Sequence, residues 1–150
     1  MLTNFDIEKL CKKLKINLLG IYSNDLFNDV ILENGFYVIN LQNSNDGNGT
    51  HWTCIAITDY NHVYFDSFGF IAPQTVQDKL NDFYYWNDSQ IQHLNSELCG
   101  WYVIAFMYYM QNNKEKKINI RYKNFIDLFD KKNLLKNDDI LYKFIKLIIS

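Results

Sequence analysis

Cys99, His51 and Asp66 are three residues of reactive type whose positions along the chain would let them act together. A thiol is a useful nucleophile only as its thiolate, and proteins favour that form by setting sulfur at a helix N-terminus beside a cationic imidazole. Cys99 begins CGWYVIAFMYYMQNN, a strongly apolar run, directly after the polar stretch QHLNSEL. If that run is a helix, the partial positive charge of its start falls on the sulfur. Gly100 then removes a side chain where a substrate backbone would have to come close. The competing role for any cysteine is that of a small core residue. That is the reading for the other two, since Cys11 lies on the apolar face of a predicted helix and Cys54 inside a predicted strand.

His51 opens HWTCIAIT and Asp66 lies near the end of HVYFDSF, two β-favouring runs around a short turn near Asp59 to Asn61. This is the sequence form of a hairpin. With the turn centred near Asp59 and Tyr60, Asp66 pairs with Thr53 and shares a sheet face with His51. The two are then diagonal neighbours, with Cα atoms roughly 7 to 8 Å apart. A shift of one residue would send them to opposite faces. Taken singly, His51 beside a polar loop reads as an exposed side chain and Asp66 as a strand-end turn residue. His62 and His93 are read as solvent-facing. A zinc site made of His51, Cys54 and Cys99 has no recognised ligand spacing, so neither metal nor cofactor is expected.

The elements that must position these groups follow from periodicity. Ile7, Leu10, Cys11 and Leu14 recur at helical spacing behind the capping candidates Thr3 and Asn4. FYVINL, about 36 to 41, reads as a strand, and NSNDGNG at 43 to 49 as the polar loop that delivers the chain to His51. Pro73 and Thr75 can open a helix carrying Val76, Leu80 and Phe83, after which YYWNDSQIQ returns to extended structure. The run from Cys99 to about Asn112 is apolar on nearly every side, the pattern of a central helix buried all round. Further helices are predicted near Tyr122 to Asp130 and from a cap at Asn137, the latter with Ile140, Leu141, Phe144, Ile145 and Ile148 on its core face. Helices packed around a small mixed sheet make an α+β domain.

At 150 residues and 48% apolar composition, the chain has room for one substantial core and a single domain, 1–150. A net charge of -2 and a pI near 5.9 give no overall field that favours nucleic acid or an anionic membrane. Three cysteines without CxxC spacing suit a reducing compartment better than a disulfide framework. The opening MLTNFDIEKLCKK carries an acidic residue where a signal peptide would be apolar, and the longest apolar runs fall short of a membrane span. A soluble, intracellular protein is expected. The abundance of Asn, Lys and Ile reflects base composition more than chemistry.

Three blocks carry a family resemblance: GTHW at 49 to 52, YFDSFGF at 64 to 70 and QHLNSELCGWY at 92 to 102. They resemble the adenovirus-type (adenain-like) maturation cysteine proteases and, more distantly, the SUMO- and ubiquitin-like-protein-specific proteases. Gln92 stands seven residues before Cys99, with Asn95 and Ser96 between them and Gly100 after, as in the adenovirus-type pattern. Weaker likeness extends to LLGIY at 18 to 22 and NDDILYKFI at 137 to 145. The resemblance implies a papain-like or adenain-like fold and a thiol-dependent hydrolase. In it Cys99 is the nucleophile, His51 its base, Asp66 the orienter of His51, and Gln92 an oxyanion donor with the backbone N–H of Cys99. Trp52 would shield the His–Asp contact from water, and Trp52, Gly100 and Asn95 would border the substrate.

The implied substrate is a viral structural or capsid precursor cut near glycine, which places the protein in a virion, host cytoplasm or viral factory. Removal of ubiquitin-like modifiers from lysines is the alternative, since these also end in Gly-Gly. A related acyltransferase and a non-enzymatic binding module complete the set. Three departures separate this chain from the adenovirus enzymes. Asp66 stands where they carry Glu, as in the SUMO-specific branch. No cysteine lies between Phe65 and Gln92, so an activating peptide could not be attached by the adenovirus-type disulfide. The acidic balance argues against their DNA cofactor.

Overall fold

A computed structural model describes residues 1–41, 51–59, 61–81 and 84–150. The first helix, α1 (Asn4–Leu14), begins with a capping box: the Thr3 hydroxyl accepts from the Asp6 N–H at 3.2 Å, and the Asp6 carboxylate accepts from the Thr3 N–H at 2.9 Å. It buries Ile7 and Cys11, the apolar face its spacing predicts. Strands β1 (Leu18–Ser23), β2 (Gly35–Asn40), β3 (Trp52–Ile57) and β4 (His62–Phe65) follow. After them come α2 (Gln74–Leu80), β5 (Tyr85–Trp86), α3 (Cys99–Gln111), α4 (Ile118–Ile126) and α5 (Asn137–Ile149).

The strands form one mixed sheet in the order β1-β2-β3-β4-β5. The outer pairs, β1 with β2 and β4 with β5, are parallel, and the two inner pairs are antiparallel. Both faces are covered, so the central strands read as continuous apolar runs. On one face Val38, Cys54, Ala56, Val63 and Phe65 meet the helical layer of α1, α3, α4 and α5. On the other, Tyr37, Ile39, Ile55 and Tyr64 lie under Phe27, Val76 and Leu80. This is an α+β fold with a small mixed sheet and packed helices.

α3 lies between the sheet and the other helices, which is why it is apolar all round. Phe106 stacks on Phe65 of β4, with centroids 4.6 Å apart and planes 4° from parallel, and Phe125 of α4 meets both edge-on. At the far end the Gln111 carboxamide accepts from the Asn17 N–H at 2.8 Å and donates to the Lys15 carbonyl at 2.6 Å. Those bonds fasten the end of α3 to the end of α1 and so fix where Cys99 emerges at the other pole.

Several predicted elements differ. The strand β1 is not apparent from alternation, because all six of its residues are only half-buried. The helix expected from Tyr122 to Asp130 runs from Ile118, whose buried side chain begins the apolar stripe, and ends at Ile126, where successive tight turns at Leu128 and Phe129 take over. The extended stretch after α2 contributes only Tyr85 and Trp86 to the sheet. Asn137 makes no capping bond, and its carboxamide instead brackets the chain at Ile91 and Asp130. The NSNDGNG loop, Tyr60 and Phe83 lie outside the described residues. Among the described residues, no helix is long and apolar enough to cross a membrane.

Candidate active site

The register of β3 on β4 pairs Cys54 with Phe65 and Ile57 with His62. Carried one step past β4, it sets Asp66 opposite Thr53, as the hairpin reading requires. By strand alternation His51 and Asp66 belong to the face covered by α2, whereas Cys99 belongs to a helix on the opposite face. They meet because His51 stands just beyond the end of β3, at the rim of the sheet where α3 starts.

His51 Nε2 lies 2.7 Å from Asp66 Oδ1, with the histidine side chain 13% exposed and the aspartate fully buried. With Nε2 committed to Asp66, Nδ1 is the ring atom left to face the thiol of Cys99. Burial pulls the imidazole towards its neutral form. The hydrogen bond to Asp66 and the proximity of the Asp66 and Cys99 side chains outweigh that and bring its pKa up to about 9, while Nδ1 is buried and makes no hydrogen bond among the described residues. Phe68 stacks on the ring at 4.5 Å and shields it from water.

Asp66 is held as firmly as it holds. Its Oδ1 also accepts the Phe68 N–H at 2.8 Å. The buried Asn87 brackets its backbone, donating to the Asp66 carbonyl at 2.6 Å and accepting from its N–H at 3.2 Å. Gly69 follows with φ +78, and a Cβ there would come within 2.8 Å of the Ser89 backbone. Only glycine lets the turn after Asp66 lie flat against that segment.

Gln92 is fully buried, and the Ser67 carbonyl accepts both its N–H and that of Ile91, each at 2.9 Å. The Ser67 hydroxyl donates to Gln92 Oε1, so the carboxamide nitrogen points the other way, towards Ser96. Nε2 lies 2.9 Å from the Ser96 carbonyl and 3.3 Å from its hydroxyl. The amide expected to face substrate is thus bonded to the loop ahead of Cys99.

Cys99 is the first residue of α3 and is buried, as Gly100 is. Gly100 differs from expectation: a Cβ on it would meet the Leu2 side chain at 3.0 Å, so its Cα faces the N-terminal segment and not an open cleft. Trp52 is buried beside His51 and donates from Nε1 to the Leu2 carbonyl at 3.0 Å. It also lines a groove with Met1, Thr3, Tyr22 and Asn40. Asn95 is exposed, and its N–H donates to His93 Nδ1. His62 is half-buried at the start of β4, and His93 is half-buried too, so neither is the fully solvent-facing residue expected.

Burial pushes the Cys11 thiol up to about 12 and that of Cys54 well above the ordinary range, as befits packing residues. None of the three cysteines is in a disulfide. Among the described residues, no three His, Cys, Asp or Glu side chains gather so as to hold a metal ion. Sequence reasoning missed Asn87, Ser67 and Phe68, and it gave no role to Ser96 or Asp138. Ser67 and Phe68 fall inside the block that carries Asp66 and Asp138 inside the weaker likeness at 137 to 145, whereas Asn87 has no local signal.

No protein-family model and no curated protein matches the chain. Among solved structures the chain is similar to a variant of AvrA with IP6 and CoA, at 17% identity and a TM-score of 0.51. That likeness covers 82% of this chain and 53% of the AvrA chain, so the present chain spans about half of its neighbour. At such identity the match speaks for the fold alone, a mixed α+β architecture consistent with the papain-like class.

Proposed function

We propose that the chain is a cysteine peptidase in which Cys99 is the nucleophile, His51 exchanges its proton, Asp66 orients His51 and Gln92 donates to the oxyanion. The observation that carries this reading is the imidazole of His51, bonded through Nε2 to a buried Asp66 and raised in basicity in part by Cys99. An imidazole that favours its protonated form, set beside a thiol at a helix start, is the arrangement a cysteine nucleophile needs.

In the first step the Cys99 sulfur bonds to the scissile carbonyl carbon, and the displaced electron pair moves to oxygen. Gln92 offers one carboxamide N–H to that oxyanion while the other is shared between the carbonyl and the hydroxyl of Ser96. A backbone N–H in the first turn of α3 joins it. Collapse breaks the C–N bond, and the departing amine takes the imidazolium proton. Water then attacks the thioester and gives a proton to His51, and collapse breaks the C–S bond, releasing the acid and leaving the sulfur with its electron pair beside the protonated imidazole.

The Gln-to-Cys spacing and the Asn-Ser pair support a substrate of the adenovirus type, a structural precursor cut beside glycine. Removal of ubiquitin-like modifiers is the alternative for the same machinery. Incubation with capsid-precursor peptides and with Gly-Gly-ended modifier probes, read by mass spectrometry, separates the two. The likeness to AvrA favours one second reading, acyl transfer, in which an amine takes the thioester in place of water. Incubation with acetyl-CoA tests it: a stable acetyl group on a protein lysine, absent with Cys99→Ala, would replace the peptidase reading.

A further inference from the structure

We infer that Asp138 is a positioning residue for the oxyanion donor, acting on Gln92 through the hydroxyl of Ser96. The inference rests on the roles proposed above for Cys99 and Gln92. A serine hydroxyl carries one proton and two lone pairs. That of Ser96 donates its proton to Asp138 Oδ1 at 3.0 Å. Its lone pairs are thereby turned towards Gln92 Nε2 at 3.3 Å and the Leu98 N–H at 3.2 Å. Without an acceptor at 138 the hydroxyl can rotate, and the nitrogen end of the carboxamide loses one of its two tethers.

The same carboxylate oxygen accepts from the buried Tyr102 hydroxyl at 2.9 Å. Tyr102 lies on α3, three residues after Cys99, whereas Ser96 lies in the loop before it. One oxygen therefore ties together the helix bearing the nucleophile and the segment bearing the oxyanion donor. Asp138 is the second residue of α5, where the helix dipole favours a negative charge. Its neighbour Asn137 donates to the Ile91 carbonyl at 2.7 Å, one residue before Gln92. The start of α5 thus grips the oxyanion segment at two points, remote in sequence from any residue that touches substrate.

Two small reagents separate this role from a merely structural one without knowledge of the natural substrate. p-Nitrophenyl acetate acylates a thiolate through an oxyanion: a C–S bond forms, the ester C–O bond breaks and p-nitrophenolate leaves. Iodoacetamide alkylates the same sulfur by displacing iodide, with no oxyanion. Asp138→Ala is expected to slow Cys99-dependent nitrophenolate release about tenfold, less than the ~10² to 10³ of losing an oxyanion donor outright. Alkylation of Cys99 and its pH midpoint stay unchanged. Asp138→Asn, which keeps an oxygen in place, falls between. The double variant with Gln92→Ala is no slower than Gln92→Ala alone, because both act through one group.

Ser96→Ala carries the same test should Asp138→Ala fold poorly. Wild-type acylation by Asp138→Ala, multiplicative losses in the double variant, or alkylation slowed in parallel would each overturn the inference while leaving the assignment of Cys99 intact. Equal nitrophenolate release by wild type and Cys99→Ala would instead overturn both.

Discussion

Cys54 and Cys99 are both buried thiols packed against the same sheet, one in the middle of β3 and the other at the rim where α3 begins. Around Cys54 the neighbours are apolar, its sulfur donates to the Ile55 carbonyl at 3.8 Å, and loss of water drives its pKa far up. Around Cys99 stand a helix start and an imidazole already bonded to a carboxylate. Burial is common to the two; what sets Cys99 apart, and what its proposed role rests on, is a neighbouring imidazole that can hold a proton.

That contrast can be broken at several points. The largest effect is expected from Cys99→Ala, which should reduce thiol-dependent acylation and peptide cleavage to background. His51→Ala should cost about 10² to 10⁴ in the acylation rate, the usual worth of a positioned acid–base group. It should also lower the melting temperature, because the buried Asp66 loses its cationic partner, and Oδ2 of that carboxylate already lacks a hydrogen bond. Gln92→Ala should lose about 10² to 10³ in acylation yet alkylate normally with iodoacetamide.

A smaller and more diagnostic effect concerns pH. The imidazole of His51 is raised from an ordinary 6.5 to about 9, so folding favours its protonated form. The stability gained is complete below 6.5 and is lost as pH climbs through about 9. The melting temperature of wild type relative to His51→Ala should therefore narrow across that window. A constant difference would show that the imidazole is not charged by its neighbours. Smallest of all, Cys54→Ala should leave every rate unchanged and cost about 1 kcal/mol of stability by chemical denaturation.

The rim of the sheet was legible in the sequence to the extent that its order is local. With a turn centred at 59 and 60, alternation through HWTCIAIT and HVYFDSF sets Asp66 opposite Thr53 and so beside His51; a one-residue shift would have parted them, and the pairing of Cys54 with Phe65 selects the register that joins them. The start of α3 at Cys99 follows from an abrupt change from polar to apolar residues. What was not legible depends on contacts between distant segments. Gly100 reads as room for substrate, yet Leu2, nearly a hundred residues earlier, occupies that room. Asn87 and Asp138 are ordinary polar residues in sequence, and only tertiary folding brings them to Asp66 and Ser96. β1 escaped notice because a parallel edge strand with all its residues half-buried shows no alternation.

The contact between Leu2 and Gly100 has a practical side. Any segment fused ahead of Met1, such as an affinity tag or a cleavage remnant, would begin two residues before the Leu2 side chain that abuts Gly100, next to Cys99. Tagged and untagged preparations are therefore different reagents for any measurement at Cys99, and a purification handle belongs at the opposite terminus.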